Sequence, residues 1–234
     1  MRLITIAVDG PAASGKSTIG QLLAGELGYL YFDTGVMYRA VAWAALERGI
    51  PIEDEARVSQ LARELEICVE PPTEDDGRQN TILADGVDIT WQIREPAVNH
   101  AVSPVATYPG VRTALVAQQR RIGAQGGIVM VGRDIGTVVL PEAECKVYLD
   151  ASLLVRAQRR HLEATRRGAT RSLEEEIAEI RRRDEIDSSR ATAPLTQAPD
   201  AFYLDTSELG IQEVVQRILV EVRRVAGGRD DGCC

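Results

Sequence analysis

The sequence predicts an α/β fold with a parallel sheet covered by helices, and three observations lead to it. Short β-branched runs alternate with longer segments of helical periodicity. Several of those runs are apolar at nearly every position, as strands buried on both faces must be. The first run passes into a glycine-rich loop that opens directly into a helical pattern.

The first strand is read at Leu3-Ile4-Thr5-Ile6-Ala7-Val8. The loop after it, Gly10-Pro11-Ala12-Ala13-Ser14-Gly15-Lys16-Ser17-Thr18, fits G-x-x-x-x-G-K-[ST] in the strand-loop-helix context that gives the pattern meaning. Its glycines let backbone N–H groups converge, and the positive end of the next helix adds to them, so the loop suits a polyphosphate. Lys16 then reaches the β- and γ-phosphates, and Ser17 is a Mg²⁺ ligand. The helix continues to about Leu27, with Ile19, Leu22, Leu23 and Leu27 on its apolar face. Tyr29-Leu30-Tyr31-Phe32 is a short strand ending at Asp33-Thr34-Gly35, and a helix follows over about residues 36–48.

Residues 67–93 interrupt the alternation. They carry Pro71-Pro72 and Asp75-Asp76-Gly77, then Thr81-Ile82-Leu83-Ala84, the turn Asp85-Gly86, and Val87-Asp88-Ile89, which predicts a small antiparallel insert. Residues 127–132 read as a buried strand ending at Arg133-Asp134, and residues 145–150 as another. A last strand at 201–205 precedes an amphipathic closing helix at about 211–225. Ligands of open α/β sheets gather beyond the carboxyl ends of strands, which places Asp33, Arg133 and Asp134 near the phosphate loop.

Arginine is frequent between residues 156 and 190, at Arg156, Arg159, Arg160, Arg166, Arg167, Arg171, Arg181, Arg182, Arg183 and Arg190. The interleaved acids Glu163, Glu174, Glu175, Glu176, Glu179 and Asp184 predict a solvated, salt-bridged helix pair for most of them. A mobile lid closing a few of them on donor phosphates is the alternative. The net charge of −8 opposes general affinity for nucleic-acid backbones. No apolar run approaches the roughly 18 residues of a membrane span. Met1-Arg2 leads into the first strand without a cleavable signal pattern, so a cytoplasmic protein is expected. Cys68, Cys145, Cys233 and Cys234 show neither zinc-ligand spacing nor a disulfide framework.

A GTPase would carry N-K-x-D and D-x-x-G, and neither pattern occurs in the chain. No apolar strand ends in the paired acids of an ATP-driven motor. A small-molecule kinase remains, in which a lid excludes water from the transfer. The arginine bias points to an anionic acceptor. A phosphate monoester is already deprotonated near neutral pH and needs no general base, which leaves His100 and His161 as ordinary residues.

Val8-Asp9-Gly10-Pro11 through Thr18, Asp33-Thr34-Gly35-Val36-Met37-Tyr38-Arg39, Gly132-Arg133-Asp134-Ile135-Gly136-Thr137-Val138-Val139, and Arg183-Asp184-Glu185-Ile186-Asp187-Ser188-Ser189-Arg190 with Ala193-Pro194-Leu195 resemble the bacterial cytidylate kinases. These form a family within the P-loop nucleoside monophosphate kinases, and the likeness runs from residue 3 to about 225. It implies one kinase domain over residues 1–226. The core would be about 1–36, 97–155 and 191–226, with a CMP-side region of about 37–96 holding the β insert. A helical lid would span about 156–190, and 227–234 would be a disordered tail.

The implied activity is ATP-dependent phosphorylation of CMP and dCMP to CDP and dCDP by in-line transfer, in a monomer with Mg²⁺ as cofactor and no nucleic-acid or membrane partner. Gly10, Pro11, Ala12, Ala13, Ser14, Gly15, Lys16, Ser17 and Thr18 would hold ATP, with Arg156 and Arg159 added from the lid. Arg39, Arg133 and Arg190 would fork the CMP phosphate, with Thr34 and Tyr38 at the same end. Ser103 and Asp134 would accept from the cytosine amine while Arg112 donates to the ring. Asp187, helped by Arg183, would accept from the sugar hydroxyls. Lys16, Arg133, Arg159 and Arg190 are the expected catalytic cations. Without the resemblance, Ser103 reads as a helix cap and Arg112 as a solvated surface charge. The alternatives are a kinase for another nucleoside monophosphate, UMP first, and a nucleotide-dependent regulatory or nucleic-acid-binding protein.

Overall fold

The computed structural model describes residues 3–166 and 171–227. Arg167 and residues 228–234, which include Cys233, Cys234 and nearly all of the expected tail, lie outside the described residues. From the N-terminus, β1 (Thr5–Asp9) feeds the glycine loop and α1 (Lys16–Leu27), and β2 (Leu30–Asp33) follows. Next come α2 (Gly35–Glu47), α3 (Glu55–Glu64), β3 (Ile67–Glu70), β4 (Thr81–Ala84), β5 (Val87–Asp88), α4 (Pro96–Val105) and α5 (Pro109–Gly123). The chain then forms β6 (Ile128–Val131), a π-helical turn at Ile135–Val139, β7 (Cys145–Asp150), α6 (Leu153–Arg166) and α7 (Leu173–Ser189). β8 (Phe202–Asp205) and α8 (Ile211–Gly227) close it, so Gly227, assigned to the tail from sequence, is the last residue of a helix.

Two compact units result. One combines the residues through Asp33 with those from Gly123 onward, and the other is Thr34–Ile122. The first unit holds a five-stranded sheet in the order β2-β6-β1-β7-β8, parallel throughout. Its register sets Val8 and Asp33 beside Val131, and Asp9 beside Tyr148, so the carboxyl ends of four strands share one edge. β6 is buried at all of its residues, the condition of a strand covered on both faces. Ile4, Ile6 and Val8 alternate onto one face, where α1 adds Ile19, Leu23 and Ala24 and α8 adds Val214, Val215, Ile218, Leu219 and Val222. Each large apolar side chain buried there stabilises the fold by about 1.5–3 kcal/mol.

The second unit contains the antiparallel sheet β3-β4-β5, with β4 and β5 joined at Asp85-Gly86. A half-buried Arg78 braces it by pairing with Asp76 at 2.7 Å and Asp88 at 2.6 Å, and Trp91 Nε1 donates to Asp76 at 2.8 Å. This unit runs on to Ile122, well past the 37–96 region drawn from sequence. α4 and α5 each begin on a proline, which tolerates the first helical turn, and α4 buries Val98, Ala101, Val102 and Val105.

Back in the first unit, α7 opens with a capping box. Glu175 N–H donates to Ser172 Oγ at 3.2 Å and Ser172 N–H donates to Glu175 Oε2 at 2.7 Å. Arg182 pairs with Glu179 one turn before it at 2.9 Å, as a solvated helix face would. Arg156 and Arg190 depart from that pattern, because both are buried. No described helix is long and apolar enough to cross a membrane.

Candidate active site

The phosphate loop begins at Gly10, whose φ is +149°, and a Cβ there would collide with the Leu149 carbonyl oxygen of β7. Only glycine lets the loop leave the sheet at that distance. Lys16 follows as a buried residue whose Nζ donates to the Pro11 carbonyl at 2.6 Å and to Ser14 Oγ at 3.2 Å. Burial, helped by the nearby Arg133 cation, pushes its ammonium well below the usual lysine pKa, against Asp33, Asp187 and Asp9. Phosphate oxygens would supply the negative charge that reverses this shift. Ser17 Oγ donates to Asp33 Oδ2 at 3.2 Å. A hydroxyl and a carboxylate are hard oxygen donors that suit Mg²⁺, an ion that keeps several waters and uses few protein ligands. No group of three or more His, Cys, Asp or Glu is gathered for a metal among the described residues.

Asp9, the last residue of β1, is 5% exposed. Its Oδ1 accepts the Ile135 N–H and its Oδ2 the Gly136 N–H, each at 2.7 Å. Burial outweighs both bonds and raises its carboxyl to about 6, with Asp134 adding to the rise. The two N–H groups open the π-helical turn, which Val139 N–H to Asp134 O at 3.1 Å and Leu140 N–H to Ile135 O at 2.7 Å complete. Arg133 and the buried Asp134 stand just before it.

Arg133 Nε donates to Asp187 Oδ2 of α7 at 2.7 Å. Burial would raise the Asp187 carboxyl, but the Arg133 charge and hydrogen bond, with Arg190 and Arg183 behind them, hold it below its ordinary value. Burial likewise opposes the Arg133 cation, yet Asp187 leaves its pKa raised. Arg190 is buried at the end of α7, and its Nε donates to the Asp187 carbonyl at 3.3 Å. Arg133, Arg183, Asp187 and Arg190 therefore form one electrostatic cluster in the same unit as the phosphate loop.

On α6, Arg156 is a brace. Its Nη1 donates to the Ala12 carbonyl of the loop at 3.0 Å and to Asp184 Oδ2 at 2.7 Å, and its Nε to the Ala151 carbonyl at 2.9 Å. Arg159 donates to Thr206 Oγ1 at 3.0 Å and to the Thr206 carbonyl at 2.6 Å. A Cβ built on Gly15 would lie 3.9 Å from Arg159 Nη1, which puts this guanidinium beside the loop. A cavity of about 350 Å³ opens next to them, lined by Pro11, Tyr148, Asp150, Arg156, Asp184 and Glu185 among others.

In the second unit, Arg39 Nη1 donates to Asn99 Oδ1 at 2.6 Å and to the Ile93 carbonyl at 3.2 Å. Arg112 is 3% exposed, with its Cζ 5.7 Å from the centroid of the Tyr38 ring. It is therefore no solvated surface charge. Ser103 lies half-buried inside α4, whose cap position is Glu95, so a capping role is excluded too. Thr34 is buried at the start of α2.

The sequence matches the cytidylate kinase family over residues 6–224. The chain belongs to that family. It is 52% identical over 215 residues to the cytidylate kinase of Chloroflexus aggregans, covering 92% of each chain. It is 48% identical over 226 residues to the cytidylate kinase of Geobacillus kaustophilus, covering 97% of this chain and 99% of that one. The bifunctional pantoate ligase/cytidylate kinase of a Synechococcus strain is 47% identical over 220 residues, which cover 94% of this chain and 40% of that longer protein.

The matched span contains every residue singled out above, from Asp9 to Arg190. Two residues that the sequence reading passed over now stand out. Asn99 orients Arg39, and its signal was a lone amide in the apolar opening of α4. Asp9 stood within the run Val8-Asp9-Gly10-Pro11 that resembles the family, but nothing in the sequence gave it a role.

Proposed function

We propose that this member of the cytidylate kinase family transfers the γ-phosphoryl group of ATP to CMP and dCMP, yielding ADP with CDP or dCDP. One observation carries the reading: the phosphate-loop lysine shares a unit with a cluster of Arg133, Arg183 and Arg190 around Asp187. Such an array suits an anionic acceptor facing a polyphosphate donor, where transfer needs position and charge neutralisation more than a base. Lys16 would leave Pro11 and Ser14 for the β- and γ-phosphates, which the N–H groups of residues 10–18 surround. Ser17, oriented by Asp33, would hold Mg²⁺. A bound Mg²⁺ ion neutralises and orients donor phosphate oxygens.

On the acceptor side, Arg133 and Asp187 hold each other. CMP would exchange that contact for two others, its phosphate on Arg133 and its ribose hydroxyls on Asp187. Arg190 and Arg39 would complete the phosphate fork, Thr34 and Tyr38 would line it, and Arg183 would support Asp187. Ser103, Asp134 and Arg112 would read the cytosine edge. Arg159 and Arg156, within a lid at residues 156–190, would serve the donor, with Arg159 joining Lys16, Arg133 and Arg190 as a catalytic cation. The enzyme is taken as a cytoplasmic monomer without nucleic-acid or membrane partners. A coupled assay offering CMP, dCMP, UMP, AMP and GMP with MgATP tests the reading. CMP and dCMP should be turned over well above the rest, and equal or greater use of UMP would overturn it.

A further inference from the structure

We infer that Asp9 is a positioning residue whose carboxylate sets the turn that aims Arg133 and Asp134 at the acceptor, so one side chain ties the donor loop to base recognition. This rests on the reading of CMP as acceptor. The ground is geometric. Asp9 ends β1 and immediately precedes Gly10, and each of its two oxygens takes one backbone N–H of the turn at 2.7 Å. The first N–H groups of any helical turn have no partner within it, and here Asp9 supplies that partner. Both turn residues and Asp9 are buried, so no solvent can substitute.

The turn is also tightly seated. A Cβ on Gly136 would lie 3.4 Å from Asp9 Oδ2 and 3.2 Å from Lys146 Cδ, and Lys146 is fixed in turn by Asp200 at 2.8 Å. The lysine stem is thus the tight neighbour of the glycine, while the carboxylate lies at ordinary contact distance. Arg133 has a second anchor in Asp187, whereas the Asp134 carbonyl accepts the Val139 N–H that closes the turn. A shift of the turn moves the Asp134 backbone with it.

Two variants test this, Asp9→Asn and Gly136→Ala. Asparagine accepts one N–H but presents an amide NH₂ to the other, and alanine presses on the Lys146 stem behind the turn. KM for CMP should rise roughly 10-fold or more, and the CMP/UMP ratio of kcat/KM should fall by a similar factor, since small misplacements are costly in an organised site. KM for ATP should stay within about twofold of wild type, the donor loop being held by its own bonds. Neither a KM nor a ratio depends on the active fraction of a preparation, so partial unfolding cannot imitate the result. Variants that keep the wild-type CMP KM and CMP/UMP ratio while losing kcat or melting earlier, or that both fail to fold, would make Asp9 structural only and overturn the inference. A wild-type enzyme without CMP preference would instead sink the functional reading and this inference together.

Discussion

The Lys16 ammonium donates to the Pro11 carbonyl and the Ser14 hydroxyl. Because it would neutralise charge that moves during transfer, Lys16→Met should lower kcat at least roughly 10²-fold, on the order of 3 kcal/mol of transition-state stabilisation. Circular dichroism should show the fold intact, and near-normal turnover would remove Lys16 from the mechanism. For base reading, Asp134→Ala should collapse the CMP/UMP ratio of kcat/KM, mainly through lost CMP activity, by about 10²-fold. Asp187→Ala should weaken both acceptors alike, because the sugar is common to them. An unchanged ratio in Asp134→Ala would exclude base contact by this carboxylate. Asp9 gives a pH signature. Its carboxyl titrates at about 6 in the fold against 3.8 for the exposed group, so the folded state holds the extra proton between those values. Stability tied to that proton is complete below pH 4 and disappears as the pH climbs through 6, a change on the order of 3 kcal/mol. Melting temperatures of wild type minus Asp9→Asn should therefore fall over that window, and a flat difference would refute the shift. Lys16, Ser17 and Arg133 were legible because short local patterns carry them. Asp9 was not, since its partners stand far along the chain and no local periodicity marks such a bond.

Among the elements, α6 and α7 are the most informative pair. Sequence gave two readings of their arginines, a solvated pair and a phosphate-seeking lid, and Arg156 follows neither in simple form. It bridges the loop backbone to Asp184 while itself 7% exposed. Arg156→Ala should lower both kcat and stability, the latter by about 2–4 kcal/mol, because a partly buried carboxylate loses its counter-charge. Arg159→Ala should depress kcat more than it raises the KM for CMP while the melting temperature changes little. Steady-state kinetics beside calorimetry separates the two, and identical profiles would contradict these distinct roles. The sheet strands and the insert were readable from apolar runs and turn residues. Ile135, Val138 and Val139 gave no sign of a π-helical turn, because β-branched residues favour strands and the Asp9 carboxylate that receives the turn lies far away in sequence. α4 and α5 escaped notice too, since each opens on proline without an acidic first turn.

For the whole molecule, a bound acceptor would add to stability. CMP at about 100 times its Kd should stabilise the protein by about 2.7 kcal/mol. Arg133→Ala and Arg190→Ala should each remove most of that thermal shift, and a full shift in either variant would remove that arginine from the acceptor site. The strand order also bears on how the polypeptide is made. Among the described residues β1 pairs only with β6 and β7, and β2 reaches the sheet only through β6, so these earliest strands meet their sheet neighbours no sooner than Val131 is added. At usual elongation rates, roughly 6–25 s separate the synthesis of Asp9 from that of Val131. During that interval the nascent chain can complete the hairpin of β4 and β5, whose strands are close in sequence, while Ile4, Ile6 and Val8 stay unpaired. Slower translation lengthens the exposure of this apolar leader, which makes it the segment where a chaperone would engage and where aggregation of an unfinished chain would begin.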